Sequence, residues 1–342
     1  MSATGGKLLQ RLERLLATPT QTSAWKIALP ALVLASAYLW VQAPSMSTAN
    51  PEQQPNIVAA PVTTAPVPTP ATTTVVTATA APLAVETAPA LLPQLLRLPV
   101  NAKHALVLED STGRIVMAKD ADTEVPIASI TKLVTAMVVL DAKPNMQETL
   151  TIADTDVDML KHSASRMRVG SEMTRLAALK LALMMSENRA ATALARYYPG
   201  GTPAFVLAMQ TKVRSLGLTH TAFADPTGLS PANRSTATEV AKIALAASHY
   251  PEIASITSDR SANVPVNGRA RAVHNTNKLV GGSGWDIELS KTGYTQEAGR
   301  CLTMRIKSGS KHFTVVLLDA DGSNQRLRDA TRIRATLAKL HI

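Results

Sequence analysis

Residues 44 to 98 cannot bury a core, and this one stretch decides where the chain can fold. They are Pro, Ala, Thr and Val with almost no charge and no glycine, typified by Val67-Pro68-Thr69-Pro70-Ala71-Thr72-Thr73-Thr74. Such a sequence favours extended, polyproline-like chain and makes a stiff spacer. Folding is thereby confined to residues 99 to 342, enough for one sizeable domain.

Ahead of the spacer, residues 1 to 26 set Lys7, Arg11, Arg14 and Lys26 against leucines at helical spacing, and Ile27 to Ala43 follows without a charge. About 17 residues at 1.5 Å each span roughly 25 Å, the lower limit for a bilayer crossing and long for a secretory core segment. Both readings mean export. No Lys or Arg occurs between Ile27 and Leu96, so the basic flank stays in the cytoplasm and the rest is translocated. Val41-Gln42-Ala43 suits signal cleavage while Pro44 opposes it. Residues 27 to 43 are therefore expected to be either a membrane anchor or a removed signal, with the remainder in the periplasm.

The net charge of +10 and pI near 9.8 call for an anionic partner. Nucleic acid is not expected, because no basic stripe is interleaved with aromatics, which are only 3% of the chain. Anionic lipid or a cell-wall polymer fits better. A single cysteine, Cys301, excludes an intrachain disulfide and a cysteine metal cluster, and the seven histidines, His104, His162, His220 and His274 among them, show no H-E-x-x-H spacing. No metal and no cofactor are expected.

Within the folding part, Ala105 to Leu108 and Arg114 to Met117 read as a hairpin across a turn containing Gly113. Helical periodicity follows: Ile130, Leu133, Val134, Met137 and Val138 make an apolar stripe on a helix that Ser129 opens. Leu176 to Met185 predicts a second helix, ending at Ser186-Glu187-Asn188, and further helices are expected over 203–216 and 236–248. Strands return from Ile287, over Gly299–Ile306 and over His312–Leu318, before a closing helix, Gln325 to Leu340. The order predicts an α+β fold: an antiparallel sheet flanked by helices, a helical lobe, and a site in the cleft between them.

Three short clusters carry chemistry. Ser129-Ile130-Thr131-Lys132 puts a hydroxyl and an amine on one helix face; Ser186-Glu187-Asn188 stands at a helix exit; Lys291-Thr292-Gly293 ends a strand. Decoys exist. Ser23 to Lys26 and Ser308 to Lys311 repeat the first spacing, Ser261 to Asn263 the second, and Lys307 to Gly309 resembles the third. Only Ser129, Ser186 and Lys291 occur in order and in fitting contexts, the combination found in class A β-lactamases and penicillin-binding proteins. A serine needs a base, so Lys132 must be neutral, and burial together with the charge of Lys291 would lower its pKa. Ser186 is suited to relay a proton to the leaving amine, and Asn188 to hold substrate backbone. Lys291 and Thr292 offer a cation and a hydroxyl to a substrate carboxylate, Gly293 permits close approach, and the backbone N–H groups of Ser129 and Tyr294 would form an oxyanion hole.

Residues 100 to 342 resemble the low-molecular-mass penicillin-binding proteins of the serine D-alanyl-D-alanine carboxypeptidase family, and within them the D-alanyl-D-alanine endopeptidases of the penicillin-binding protein 7 type. Ser129-Ile130-Thr131-Lys132-Leu133, Met185-Ser186-Glu187-Asn188-Arg189-Ala190-Ala191, Pro226-Thr227-Gly228-Leu229-Ser230, Asn275-Thr276-Asn277-Lys278-Leu279-Val280 and Lys291-Thr292-Gly293-Tyr294 carry the likeness. It implies acylation of Ser129 by a D-Ala carbonyl of peptidoglycan stem peptides, then hydrolysis, with β-lactams as covalent inhibitors. The preference for an endopeptidase cutting D-Ala-diaminopimelate cross-links over a D-Ala-D-Ala carboxypeptidase rests on resemblance alone. A β-lactamase would need a deacylating Glu, and Asp225-Pro226-Thr227-Gly228-Leu229 offers no E-x-x-N. A non-catalytic wall-binding protein is the remaining alternative.

Overall fold

A computed structural model describes residues 98 to 339. The basic segment 1–26, the apolar segment 27–43 and the spacer up to residue 97 lie outside the described residues, and so do the expectations attached to them. Among the described residues no helix is long and apolar enough to cross a membrane.

The expected hairpin forms from β1 (His104–Glu109) and β2 (Arg114–Lys119), its turn closed by Gly113 at φ +68°. The chain then leaves the sheet. It passes through β3 (Val125–Pro126), α1 (Lys132–Asp141), and the paired β4 (Thr149–Thr151) and β5 (Glu172–Thr174). Next come α2 (Arg175–Met184), α3 (Asn188–Arg196), α4 (Gly201–Ser215), β6 (Arg234–Ser235), α5 (Ala237–Ser248) and α6 (Pro251–Ser258). A separate hairpin, β7 (Ser261–Val266) with β8 (Arg269–His274), precedes the return to the sheet. There β9 (Ile287–Thr295), β10 (Gly299–Ser308) and β11 (Lys311–Ala320) complete the antiparallel order β2-β1-β11-β10-β9, and α7 (Ser323–Lys339) closes the described chain.

Period-two alternation in β11 explains why helices must cover both faces of this sheet. Val316 and Leu318 join the core of the helical lobe, while Phe313, Val315 and Leu317 pack with Ala330, Ile333 and Leu337 of α7. Strand β9 is left at the sheet edge, beside the turn that carries Ser129. The α+β reading with two lobes is borne out. Helices α3 and α6 and the β7–β8 hairpin were not expected.

The sequence predicted one buried stripe on the Ser129 helix; the structure buries α1 on all sides. Lys132 through Val139 form eight consecutive buried residues. A helix apolar all round belongs at the centre of a lobe, and α2, α4 and α5 surround this one.

Candidate active site

Ser129 does not open the α-helix. Ala128 sits at φ +47°, in the left-handed region, so Ala128–Thr131 forms a 3₁₀ turn and α1 begins one residue after it, at Lys132. The change preserves the pairing, because residues i and i+3 eclipse in a 3₁₀ turn. Lys132 Nζ donates to Ser129 Oγ at 2.9 Å.

Two further acceptors hold the same amine: Asn188 Oδ1 at 2.7 Å and the Thr227 carbonyl at 2.7 Å. Lys132 is 1% exposed. Burial lowers its pKa to about 7, against the opposing pull of Asp225 and Glu187. The expected push from Lys291 falls on Lys291 itself. Burial, then the charges of Lys132 and Arg326, hold that lysine well below 10.5.

The sequence predicts that Asn188 holds substrate backbone. Its carbonyl is committed to Lys132, and its Nδ2 donates to Ser163 Oγ at 2.9 Å. With Nδ2 turned to the Ser163 hydroxyl, Oδ1 is the amide atom that faces the amine. Asn188 thus orients Lys132, a role the motif alone could not reveal.

Ser186 stands at φ +62°, between the end of α2 and the start of α3. There its Oγ accepts from Lys291 Nζ at 2.6 Å, and the amine also donates to the Thr292 carbonyl at 2.8 Å. Both Ala128 and Ser186 are non-glycine residues in a sparsely populated backbone region, and such strain persists only where the surroundings fix it.

Lys291, Thr292, Gly293 and Tyr294 follow one another on β9. Thr292 Oγ1 is 2.7 Å from Thr276 Oγ1. Gly293 was expected to admit substrate; the structure gives a nearer reason. A Cβ there would lie 2.9 Å from the Ile127 carbonyl and 3.1 Å from Ser129 N. Only glycine lets the edge strand lie against the Ser129 turn.

The loop that supplies the Thr227 carbonyl is fixed by Asp225. Its carboxylate accepts from Thr227 N at 2.6 Å, Thr227 Oγ1 at 2.5 Å, Gly228 N at 2.8 Å and Ser230 N at 2.9 Å. Thr135 Oγ1 in α1 donates to the Pro226 carbonyl at 2.6 Å. Gly228, at φ +82°, passes so close to the nucleophile turn that a Cβ would lie 1.9 Å from the Ala128 carbonyl.

A pocket of about 320 Å³ joins Ser129, Ser186, Asn188, Thr292, Gly293 and Tyr294. Thr276, Arg300 and Arg326 also face it, and the sequence assigns none of them a role. Arg300 stacks on the Tyr294 ring at 3.4 Å. Arg326 is 6% exposed; burial lowers its pKa to about 10, its Nη1 donates to the Cys301 carbonyl at 2.7 Å, and its buried Nε has no protein partner. No sequence signal marks an arginine 35 positions after Lys291 as part of the site.

The decoys separate cleanly. Ser308 and Lys311 end and begin adjacent strands of a hairpin, and Lys311 Nζ is ion-paired with Glu109 at 3.0 Å. Ser261 to Asn263 lies in β7. Ser23 to Lys26 is outside the described residues. His104, His220 and His312 bind Asp120, Glu124 and Glu288, away from the pocket. Among the described residues no group of three His, Cys, Asp or Glu could hold a metal.

The sequence profile of the D-alanyl-D-alanine carboxypeptidase family matches residues 92–322. A D-alanyl-D-alanine endopeptidase of Pseudomonas aeruginosa is 44% identical over 235 residues, covering 68% of this chain and 76% of the relative. Its counterpart of the same description in Escherichia coli is 41% identical, covering 69% and 76%. Among solved structures, a Streptomyces DD-transpeptidase superposes with a TM-score of 0.66 at 26% identity, over 70% of this chain and 98% of that one.

Proposed function

The chain belongs to the D-alanyl-D-alanine carboxypeptidase family of peptidases, and on that premise we propose that Ser129 is the acylated nucleophile of a serine DD-peptidase acting on peptidoglycan stem peptides. One observation carries the reading: a wholly buried lysine with pKa near 7 holds the Ser129 hydroxyl at 2.9 Å. A group so placed is neutral in a large fraction of molecules at neutral pH and can act as a base.

In the proposed reaction neutral Lys132 takes the Ser129 proton as Oγ attacks a D-Ala carbonyl. The oxyanion that forms is met by the backbone N–H groups of Ser129 and Tyr294. Collapse breaks the C–N bond, and the leaving amine receives through Ser186 the proton that Lys132 took, which returns Lys132 to its neutral form; the Ser186 hydroxyl accepts from Lys291. Water then attacks the ester, Lys132 takes its proton, and Ser129 is regenerated. Thr292 and Arg326 line the pocket and suit the carboxylate beside the scissile bond, while Lys291 is buried with its amine on Ser186 Oγ and the Thr292 carbonyl.

The endopeptidase reaction on D-Ala-diaminopimelate cross-links is preferred to carboxypeptidase action because the two relatives above 40% identity carry that description. The carboxylate of the Thr227 loop, Asp225, is consumed by four donors of its own loop, which argues against its serving as a β-lactamase-type deacylating base. β-Lactams are the expected covalent inhibitors. The site works in the periplasm, held near or released from the cytoplasmic membrane by residues 27–43 and spaced by 44–98; the support for this is sequence alone.

Fluorescent penicillin should label the wild type and not Ser129→Ala. Muropeptide analysis after incubation with peptidoglycan should show loss of cross-linked dimers; loss of terminal D-Ala alone would make the enzyme a carboxypeptidase, and a wild type that never labels would overturn the assignment of Ser129.

A further inference from the structure

A second concavity, far larger than the Ser129 pocket, lies between the loop that precedes β5 and the β7–β8 hairpin, with a volume of about 1120 Å³. Arg166 and Arg168 line it from the loop, Arg269 and Arg271 from β8, and no carboxylate lines it. All four arginines are exposed. Four arginines elsewhere are paired with acids: Arg114 with Glu109, Arg175 with Glu148, Arg196 with Asp156, and Arg305 with Asp110 and Glu288. Among the described residues none of the four in the groove has such a partner.

The two walls are tied to each other. Arg271 Nη1 donates to the Arg166 carbonyl at 3.0 Å, and Asn267 at the hairpin tip exchanges bonds with Glu172, accepting from its N–H at 2.7 Å and donating to its carbonyl at 2.8 Å. The groove also shares a wall with the catalytic cluster. Met185, which lines it, immediately precedes Ser186; Ser165 Oγ donates to Glu187 Oε1 at 2.5 Å; and Ser163 holds Asn188.

We infer that this groove is an exosite for a carboxylate-bearing stem peptide of the same wall polymer, a second segment of the network whose cross-link lies at Ser129. Guanidinium groups suit carboxylates bidentately. The groove is concave and bounded by Met185, the residue before Ser186, which favours a chain segment over the face of a bilayer, and it has no aromatic platform for nucleic-acid bases. Two linked contacts also raise the effective concentration of the second segment. The inference rests on the proposed DD-peptidase function and deepens it.

The test uses the full chain and three readouts. In the quadruple variant R166Q/R168Q/R269Q/R271Q, fluorescent-penicillin labelling should match the wild type, which reports an intact fold and an intact Ser129 site. Cleavage of insoluble peptidoglycan should fall at least about tenfold, the size of one lost charge-assisted contact. Retention of Ser129→Ala on insoluble peptidoglycan should weaken with salt, and adding the four substitutions should lower it about tenfold without any turnover. Retention unchanged by the four substitutions overturns the exosite, as does loss of binding to phosphatidylglycerol vesicles with peptidoglycan retention intact. Failure of the wild type to label would instead strike the proposed function and leave the retention result standing.

Discussion

Lys132 Nζ donates to Asn188 Oδ1 at 2.7 Å, so the asparagine is bonded to the amine proposed as the base. Asn188→Asp would place a carboxylate in contact with the buried amine and favour its charged form. The midpoint of penicillin acylation against pH should then rise by about one to three units, while Asn188→Ala should not raise it. A midpoint unmoved in Asn188→Asp would show that the bond does not tune the base.

In the wild type the same profile has a definite sign. Lys132 must lose a proton to accept one from Ser129, so acylation should be slow below pH 7 and rise with pH through about 7. Stopped-flow acylation across pH 5 to 9 checks the rise, and a rate that falls from pH 6 to 8 would contradict Lys132 as the base.

Gly228 is the position least able to take a side chain. Its backbone is left-handed and a Cβ would collide with the Ala128 carbonyl at 1.9 Å. Gly228→Ala should cost at least about 3 kcal/mol and abolish labelling in the molecules that remain folded, because it pushes the Thr227 carbonyl off Lys132. Gly113→Ala is the control: φ is similarly positive but nothing lies within 4 Å, so the cost should be about 1 kcal/mol with labelling intact. Thermal melts and penicillin labelling of the two variants give the comparison.

Truncation within α1 should be expensive. Leu133 is fully buried beside the base, and Leu133→Ala should cost about 2–5 kcal/mol, lowering the melting temperature by roughly 5–15 °C in a domain of this size. A shift under about 2 °C would mean that the lobe repacks around the gap.

Much of this was legible in the sequence because the relevant signals are local. The apolar run of β11 and the stripe from Ile130 to Val138 gave their elements, and the order of Ser129, Ser186 and Lys291 picked out the site from its decoys. What escaped notice depends on groups far apart in the chain. The third acceptor of Lys132 is a backbone carbonyl, Thr227, which has no side-chain signature. Arg326 reaches the pocket from a helix packed on the opposite side of the sheet. Ser129 was placed on an α-helix because periodicity cannot register that Ala128 turns left-handed. Helix α3 was missed for a different reason: Ser186 at positive φ breaks the run, and the alanine-rich Ala190 to Ala195 carries a weak apolar signal even though five of its residues are buried.

The burial of α1 has a consequence for how this protein would wear out. The helix that holds the base has no solvent-facing side for its first eight residues, so its amides should be among the slowest to exchange with deuterium, opening only with global unfolding. Loss of activity on heating and exchange of the Leu133 to Val139 amides should therefore share one activation barrier, and a partly loosened domain with a working active site should not exist.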